Sequence, residues 1–518
     1  MSIFIYIAIF AVIYLSLMYH DVHMFQQNSY RLSRYARWWK GSNTKALNLI
    51  YCACLCVAQR VDSLAFKIVV LSIIVLVDTA PQFKRPKQKT PLVYTSRVKR
   101  LIAVNLMLAT LASWFGVVLL PEEYVYVFAG VLLLSPAIML LANVVLMPIE
   151  RTITQWYIND ARKILASHKD LIIIGVTGSY GKTSTKNYLY RMLCEKYNVL
   201  VTPGNFNTLL GVVRTVREHL RPQHQVFIVE MGAKQQGDIA EICELVHPSI
   251  GIVSSVGEAH LETFKSVENI QRTKFELIAS LPSDGLGVIN FDSQSIRDYK
   301  FESKASVKSY AVDNKSDFMA SNVAYNSTGV AFTMSIDDES IEFKSPLLGG
   351  GNVLNLMAGI VVARHLGVDT HKIARAMKQL QPVEHRLSMS RAGGLTILDD
   401  AYNSNPTGAK MALDVLRDFT RIEGAQRIII TPGFVEMGTR QYDANYQLGR
   451  EIALSVDYAV VVNLHNREAI NKGLCDAGFS ENKIFLADSL AVARQHLATR
   501  LKVGDVVLYE NDLPDSFK

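Results

Sequence analysis

Cysteine is scarce in this chain, with six in 518 residues. Cys194, Cys243 and Cys475 are scattered, so no disulfide framework is indicated and a reducing compartment fits. Cys52, Cys54 and Cys56 sit together in an apolar run with no histidine or second cysteine pair nearby. They read as small apolar residues rather than a metal or acylation cluster. Charge of one sign is also limited: 54 Lys and Arg against 47 Asp and Glu leave a net +7. Much of that excess falls in the first hundred residues between apolar runs, which suggests membrane topology rather than nucleic acid. The aromatic-plus-basic pattern of a nucleic-acid module is missing. Residues 2–18 are apolar but have neither a basic start nor a small-residue cleavage site, so they are expected to form an uncleaved membrane helix.

What is present is unevenly spread. Residues 1–150 carry five apolar runs (2–18, 46–58, 64–80, 101–120 and 124–148), whereas 151–518 have the composition of an ordinary globular protein. Two basic stretches lie between the runs. One holds Arg31, Arg34, Arg37, Lys40 and Lys45; the other holds Lys84, Arg85, Lys87, Lys89, Arg97, Lys99 and Arg100. Placing both on the cytoplasmic side makes 46–58 and 64–80 a short hairpin and puts the acidic turn Pro121-Glu122-Glu123 outside. About five crossings result; 46–58 is short against the roughly 20 residues a spanning helix needs, and four follow if it is interfacial and one other run is also misassigned. Everything after Arg151 is then expected in the cytoplasm. Length allows about three units: a transmembrane helical domain over 1–150, a central domain over 151–382, and a C-terminal domain over 383–518.

The chemistry begins at Leu171-Ile172-Ile173-Ile174-Gly175-Val176, a short run typical of a buried parallel strand. Thr177, Gly178, Ser179, Tyr180, Gly181, Lys182, Thr183 and Ser184 follow. The pattern then turns helical to about Lys196, with Tyr188, Leu189, Met192 and Leu193 on one side. Strand, glycine loop and helix together make a phosphate-binding loop, in which backbone amides and the helix N-terminus face the phosphates. Lys182 is placed to reach the outer phosphates, and Thr183 or Ser184 to hold magnesium. The strict G-x-x-x-x-G-K-[ST] spacing is missed, because Val176 stands where its first glycine belongs.

Two further strand ends carry candidate ligands. Phe227-Ile228-Val229-Glu230-Met231-Gly232 ends in a carboxylate, and Ile250 to Ser255 leads into Gly257-Glu258-Ala259-His260. Open α/β sheets bind ligands at the carboxyl ends of their strands. Downstream, residues 428–431, 458–462 and 505–508 are β-branched runs alternating with helical stretches, as in a wound α/β sheet, and a linker is expected near Pro382.

These residues resemble the Mur ligase family, and within it the members that add D-alanyl-D-alanine to the UDP-N-acetylmuramoyl tripeptide. The shared pieces run in order: 177–184, Asn205-Phe206-Asn207, Glu230-Met231-Gly232-Ala233, 256–261, Thr273-Lys274-Phe275-Glu276, Asn352 with Asn355, His385-Arg386-Leu387, and 399–406. The resemblance implies a central ATP-binding domain, a Rossmann-like domain that closes over it, and ligation of a carboxylate to an amine through an acyl phosphate. It also implies roles. Gly178, Ser179, Gly181, Lys182, Thr183 and Ser184 would cradle ATP, with Lys182 on the β/γ-phosphates. Thr183, Glu230 and His260 would hold Mg2+. Lys274 matches a lysine that family members carry as a carbamate. Asn355 would meet adenine, and Arg386, Asp400 and Asn403 would reach phosphates and ribose. Asn205 and Asn207 would face the substrate. Lys182, Lys274, His260 and Arg386 would form the catalytic set.

The chain departs from the family pattern in three places. Membrane helices stand where the nucleotide-sugar domain belongs. Gly350 and Gly351 replace a basic residue and a histidine, and residues 508–515 lack the usual ending. The acceptor therefore stays open between a lipid-linked or polymeric envelope acceptor, a peptidoglycan precursor, and a substrate like that of the poly-γ-glutamate synthetases, which also carry membrane helices ahead of a Mur-type core. A nucleotide-sensing membrane scaffold is the non-enzymatic alternative, but a scaffold would be free to lose these side chains, and all are present.

Overall fold

The structure, a computed structural model, describes residues 2–28, 30–41, 44–60, 91–257, 261–402, 405–419 and 423–513. The chain divides into two compact units, Met1–Trp156 and Tyr157–Lys518.

The first unit is helical. Its described helices are Ser2–Gln27, Leu32–Gly41, Thr44–Arg60, Ser96–Leu119, Tyr124–Leu133 and Ser135–Ala166, the last of which continues into the second unit. Among the described residues, three stretches are long and apolar enough to cross a membrane: Tyr6–Gln27, Ser96–Leu119 and Ser135–Ala166. The expected runs 2–18 and 101–120 overlap the first two. Run 46–58 lies in a 17-residue helix whose apolar part, Asn48–Val57, is short, and run 64–80 lies outside the described residues. Run 124–148 is not one helix, as the sequence suggested. The helix Tyr124–Leu133 ends at Leu134 and a new one starts at Ser135, with Pro136, which has no N–H to give Leu132, in its first turn. On Ser96–Leu119 the buried positions Val98, Leu101, Asn105 and Ala109 recur at helical spacing, while Met107, Leu111, Trp114, Phe115 and Val118 face outward. Inside, the Tyr14 hydroxyl donates to Asn105 Oδ1 at 2.8 Å. An apolar outer face over buried polar side chains reverses the pattern of a water-exposed bundle.

The second unit contains two sheets. The larger has order β2-β3-β1-β4-β5-β6-β7-β8-β9. Its strands are β1 Ile172–Thr177, β2 Val199–Val201, β3 Val226–Glu230, β4 Ile250–Val253, β5 Leu286–Asn290, β6 Ser306–Ala311, β7 Phe318–Asn326, β8 Gly329–Ile336 and β9 Glu339–Ser345. The strands from β2 to β7 in that order pair in parallel, and β7-β8-β9 is an antiparallel meander. Alternate residues feed two cores. Ile174 and Val176 of β1 join Ile228 of β3 on one face, together with Tyr188, Leu189, Met192 and Leu193 of the helix Lys182–Leu193. Ile173, Phe227 and Val229 fill the other. Apolar runs without polar alternation are what a parallel sheet covered on both faces requires.

The smaller sheet has order β10-β11-β15-β12-β13-β14. Its strands are β10 Ser388–Ala392, β11 Leu395–Asp400, β12 Arg427–Thr431, β13 Tyr458–Val462, β14 Ile484–Ala487 and β15 Val506–Glu510. Only β10 pairs antiparallel. The wound parallel architecture expected after residue 383 is thus present, with an antiparallel edge hairpin added.

Candidate functional site

The strand order places the glycine loop. β1 lies between β3 and β4, with Val176 beside Glu230 in register. From β1 the chain crosses to β2 on one side, and from β3 it crosses to β4 on the other. The crevice between the carboxyl ends of β1 and β3 is therefore the point where the winding reverses, where wound sheets open a ligand site.

The loop is built by glycine and serine. Gly181 has φ +78° and caps the helix Lys182–Leu193, and an added Cβ there would collide with Asn355 Oδ1. Ser179 N–H donates to Ser255 O (2.9 Å), Tyr180 N–H to Ser255 Oγ (2.8 Å), and Ser254 Oγ to Tyr180 O (2.5 Å). The loop after β4 thus fixes the loop after β1. Ser254 and Ser255 were not singled out from the sequence; two hydroxyls directly after a buried strand were the available signal.

Lys182 Nζ is folded into the loop, donating to Gly178 O (2.7 Å) and Ser179 O (3.2 Å). Loss of solvent pushes its ammonium down to about 8; Glu230 opposes this and Arg386 adds to it. Thr183 Oγ1 donates to Glu230 Oε1 at 3.0 Å, and Asn207 Nδ2 donates to the same oxygen at 3.2 Å. Burial alone would raise the Glu230 carboxyl, but the ammonium groups of Lys186 and Lys182 outweigh it and hold the carboxylate below its ordinary range. Ser184 is buried within the helix, so of the two candidate hydroxyls Thr183 is the one at the carboxylate.

Lys274, on the helix Val267–Ala279, is 3% exposed, and its ammonium makes no hydrogen bond to the described residues. Burial pushes it down to about 7; Lys182 lowers it further, against Glu276 and Asp238. Asn355 lies against the loop, its Oδ1 accepting from Thr185 Oγ1 at 3.2 Å. The smaller sheet brings Arg386 close enough to lower the Lys182 ammonium. The Arg386 guanidinium stacks on Tyr402 at 4.4 Å, and Leu387 N–H donates to Asp400 Oδ1 at 3.0 Å. Burial pushes the Asp400 carboxyl up to about 6, partly countered by Arg386 and the Leu387 N–H, with Asp399 adding to the rise.

Not every expected residue joins this cluster. Asn205 is exposed, whereas Asn207 is tied to Glu230. His260 and Asn403 lie outside the described residues. The metal expectation is tested by its donor set. Thr183 and Glu230 offer a hydroxyl and a carboxylate, the hard oxygen donors that Mg2+ takes, and they lie within hydrogen-bonding distance of each other, so the residues fit. Among the described residues no group of three or more His, Cys, Asp or Glu is placed to hold a metal. Lys186 went unremarked in the sequence, because one lysine on an amphipathic helix carries no signal; it is buried beside Glu230.

The comparisons agree with this geometry. Residues 176–363 match the Mur ligase middle domain, and residues 385–509 match the Mur ligase glutamate ligase domain. The UDP-N-acetylmuramoyl-tripeptide–D-alanyl-D-alanine ligase of Mycobacterium tuberculosis (strain CDC 1551 / Oshkosh) is 33% identical over 357 residues, 65% of this chain and 70% of that protein. The like-named ligase of Escherichia coli (strain K12) is 27% identical over 345 residues, 64% of this chain and 74% of its own. Among solved structures, MurF ligase from Thermotoga maritima in complex with ADP superposes with a TM-score of 0.60 at 28% identity, covering 69% of this chain and 80% of that one. With a glycine loop, a carboxylate at the neighbouring strand end and a second wound sheet all within the matched span, the chain belongs to the Mur ligase family of ATP-dependent, amide-bond-forming ligases.

Proposed function

We propose that this protein is a membrane-anchored ATP-dependent ligase that joins a carboxylate of a cell-envelope precursor or polymer to an amine through an acyl phosphate. The observation that carries the reading is the meeting of Lys182, Thr183 and Glu230 at the carboxyl ends of β1 and β3. The working division is 1–150 for the anchor, 151–382 for ATP binding and 383–518 for the closing domain.

A carboxylate is a poor acyl donor because oxide would have to leave. In the first step a carboxylate oxygen attacks the γ-phosphorus of ATP, the bond to the β-phosphate bridging oxygen breaks, and ADP departs. In the second, the amine nitrogen attacks the acyl carbon, phosphate leaves and the nitrogen gives up a proton. Phosphoryl transfer needs positioning and neutralisation of charge more than covalent help. Lys182 exchanges its two loop carbonyls for outer phosphate oxygens. Gly178, Ser179 and Gly181 shape the loop around the phosphates; Ser255 holds the amides of Ser179 and Tyr180, so the amides at the start of the helix Lys182–Leu193 face phosphate, and Asn355 lies on the adenine side. Arg386 and Asp400 act from the smaller sheet, on phosphate and ribose, and closure keeps water from the acyl phosphate. Thr183 and Glu230 would hold Mg2+, whose contribution is neutralisation of phosphate charge. Lys274, as a carbamate, would be an anion able to orient that site. Asn205 and Asn207 lie on the substrate side.

Three long apolar helices with outward apolar faces support the anchor, and the basic residues 31–45 favour their cytoplasmic side. A second, more specific reading is favoured by the names of the relatives: UDP-N-acetylmuramoyl tripeptide as carboxylate and D-alanyl-D-alanine as amine. Release of ADP by the full-length protein in detergent, with that pair and with polyglutamate plus glutamate, separates the acceptors. Tight ATP binding with no ADP release for any carboxylate and amine would overturn the ligase reading in favour of a nucleotide-sensing scaffold.

A further inference from the structure

Lys186 sits one helical turn after Lys182 and is 1% exposed. Its ammonium donates to Thr202 O and Gly204 O, each at 2.9 Å, and forms an ion pair with Glu230 Oε2, also at 2.9 Å. These partners come from two other segments, the end of β3 and the loop after β2. The same segments are cross-tied, because Glu230 N–H donates to Thr202 Oγ1 at 3.1 Å and Asn207 Nδ2 donates to Glu230 Oε1 at 3.2 Å. Burying a charge is costly, and a well-packed apolar side chain often serves stability as well or better. A lysine that donates to two carbonyls and pairs with a carboxylate supplies what an apolar residue cannot, a common anchor for all three groups.

We propose that Lys186 is a positioning residue that fixes the Glu230 carboxylate and the 202–207 loop from one point, so that the metal-side carboxylate and the loop bearing Asn205 and Asn207 are set together. The metal half of this inference rests on the reading of Glu230 given above; the loop half does not. Lys186 turns one Glu230 oxygen toward the helix interior and leaves Oε1 facing Thr183, where the oxygen donors converge.

The test uses the full-length protein in detergent with Lys186→Met and Lys186→Arg. Without ligand, Lys186→Met should speed amide hydrogen exchange at 204–207 by about tenfold or more while the amides of β5 keep their protection. It should also raise the Mg2+ concentration needed for half-maximal ADP binding by about tenfold, the usual scale for losing a group that orients a ligand side chain. Lys186→Arg keeps the charge, but its planar fork does not match three separate partners, so it should be intermediate in both measurements. Wild-type exchange and Mg2+ requirement in Lys186→Met overturn the proposal, as does loosening spread equally over 204–207 and β5. If Lys186→Met does not fold, wild-type behaviour of Lys186→Arg in both measurements overturns it. If the unmodified protein binds no ADP with Mg2+, the ligase reading fails, and the exchange at 204–207 still decides the role of Lys186 in the loop.

Discussion

Gly181 and Asn355 are 174 positions apart in the chain, and the backbone of one lies against the side-chain oxygen of the other, with no room between them for a methyl group. Two constraints act on Gly181: φ is +78°, and its missing Cβ is where Asn355 Oδ1 stands. Gly181→Ala should therefore lower stability by about 1–2 kcal/mol from the left-handed backbone alone, and by more from the clash. Asn355→Ala in the same chain should recover the clash but not the backbone strain. Thermal melts of the single and double variants check this, and equal melts for the two would show that Asn355 yields freely.

Lys182→Ala should reduce ADP release by about a hundredfold to a thousandfold, the scale of losing one directed donor to developing charge. Partition into the detergent phase should not change, since Lys182 lies outside the helical unit Met1–Trp156. Undiminished turnover would remove the glycine loop from the reaction.

Lys274 is buried, and its ammonium is pushed down to about 7, so near neutral pH a substantial share of the amine is neutral. That form attacks carbon dioxide; an N–C bond forms and one proton passes to water. Incubation with 13C-labelled bicarbonate should give one carbamate carbon resonance that is absent from Lys274→Ala. Lys274→Ala should lose most activity and recover part of it with short carboxylate anions. Full activity without rescue would leave Lys274 as a packing residue.

Asp400 gives a pH signature. Its carboxyl is raised to about 6 in the folded chain, above the ordinary 3.8. The folded state thus holds the proton more tightly, and the associated stability is complete below about pH 4 and lost as pH rises through 6. Removing the carboxylate should therefore help most above pH 6. Asp400→Asn should melt higher relative to the unsubstituted chain at pH 7.5 than at pH 4.5, by an amount on the order of 1–3 kcal/mol. A difference that does not change with pH would remove burial as the cause.

The sequence alone specified the phosphate-binding loop, because strand, glycines, lysine and hydroxyls are contiguous from 171 to 184 and their meaning is local. It also specified the wound α/β character of the second unit, since apolar runs such as 428–431 and 458–462 carry their own periodicity. Two local features were hidden from hydropathy. Averaging across 124–148 passes over Pro136, beside which the run divides into two helices. Lys186 looks like any other lysine on an amphipathic helix. Only the tertiary structure decided that it is buried, because its three partners come from chain segments 16 to 44 residues away, and a burial made by distant neighbours leaves no mark on the residues beside it. The same holds for the loop itself. The sequence placed Lys182 in it, and the fold set Glu230 beside it through the strand order, a relationship between paired backbones that no local pattern encodes.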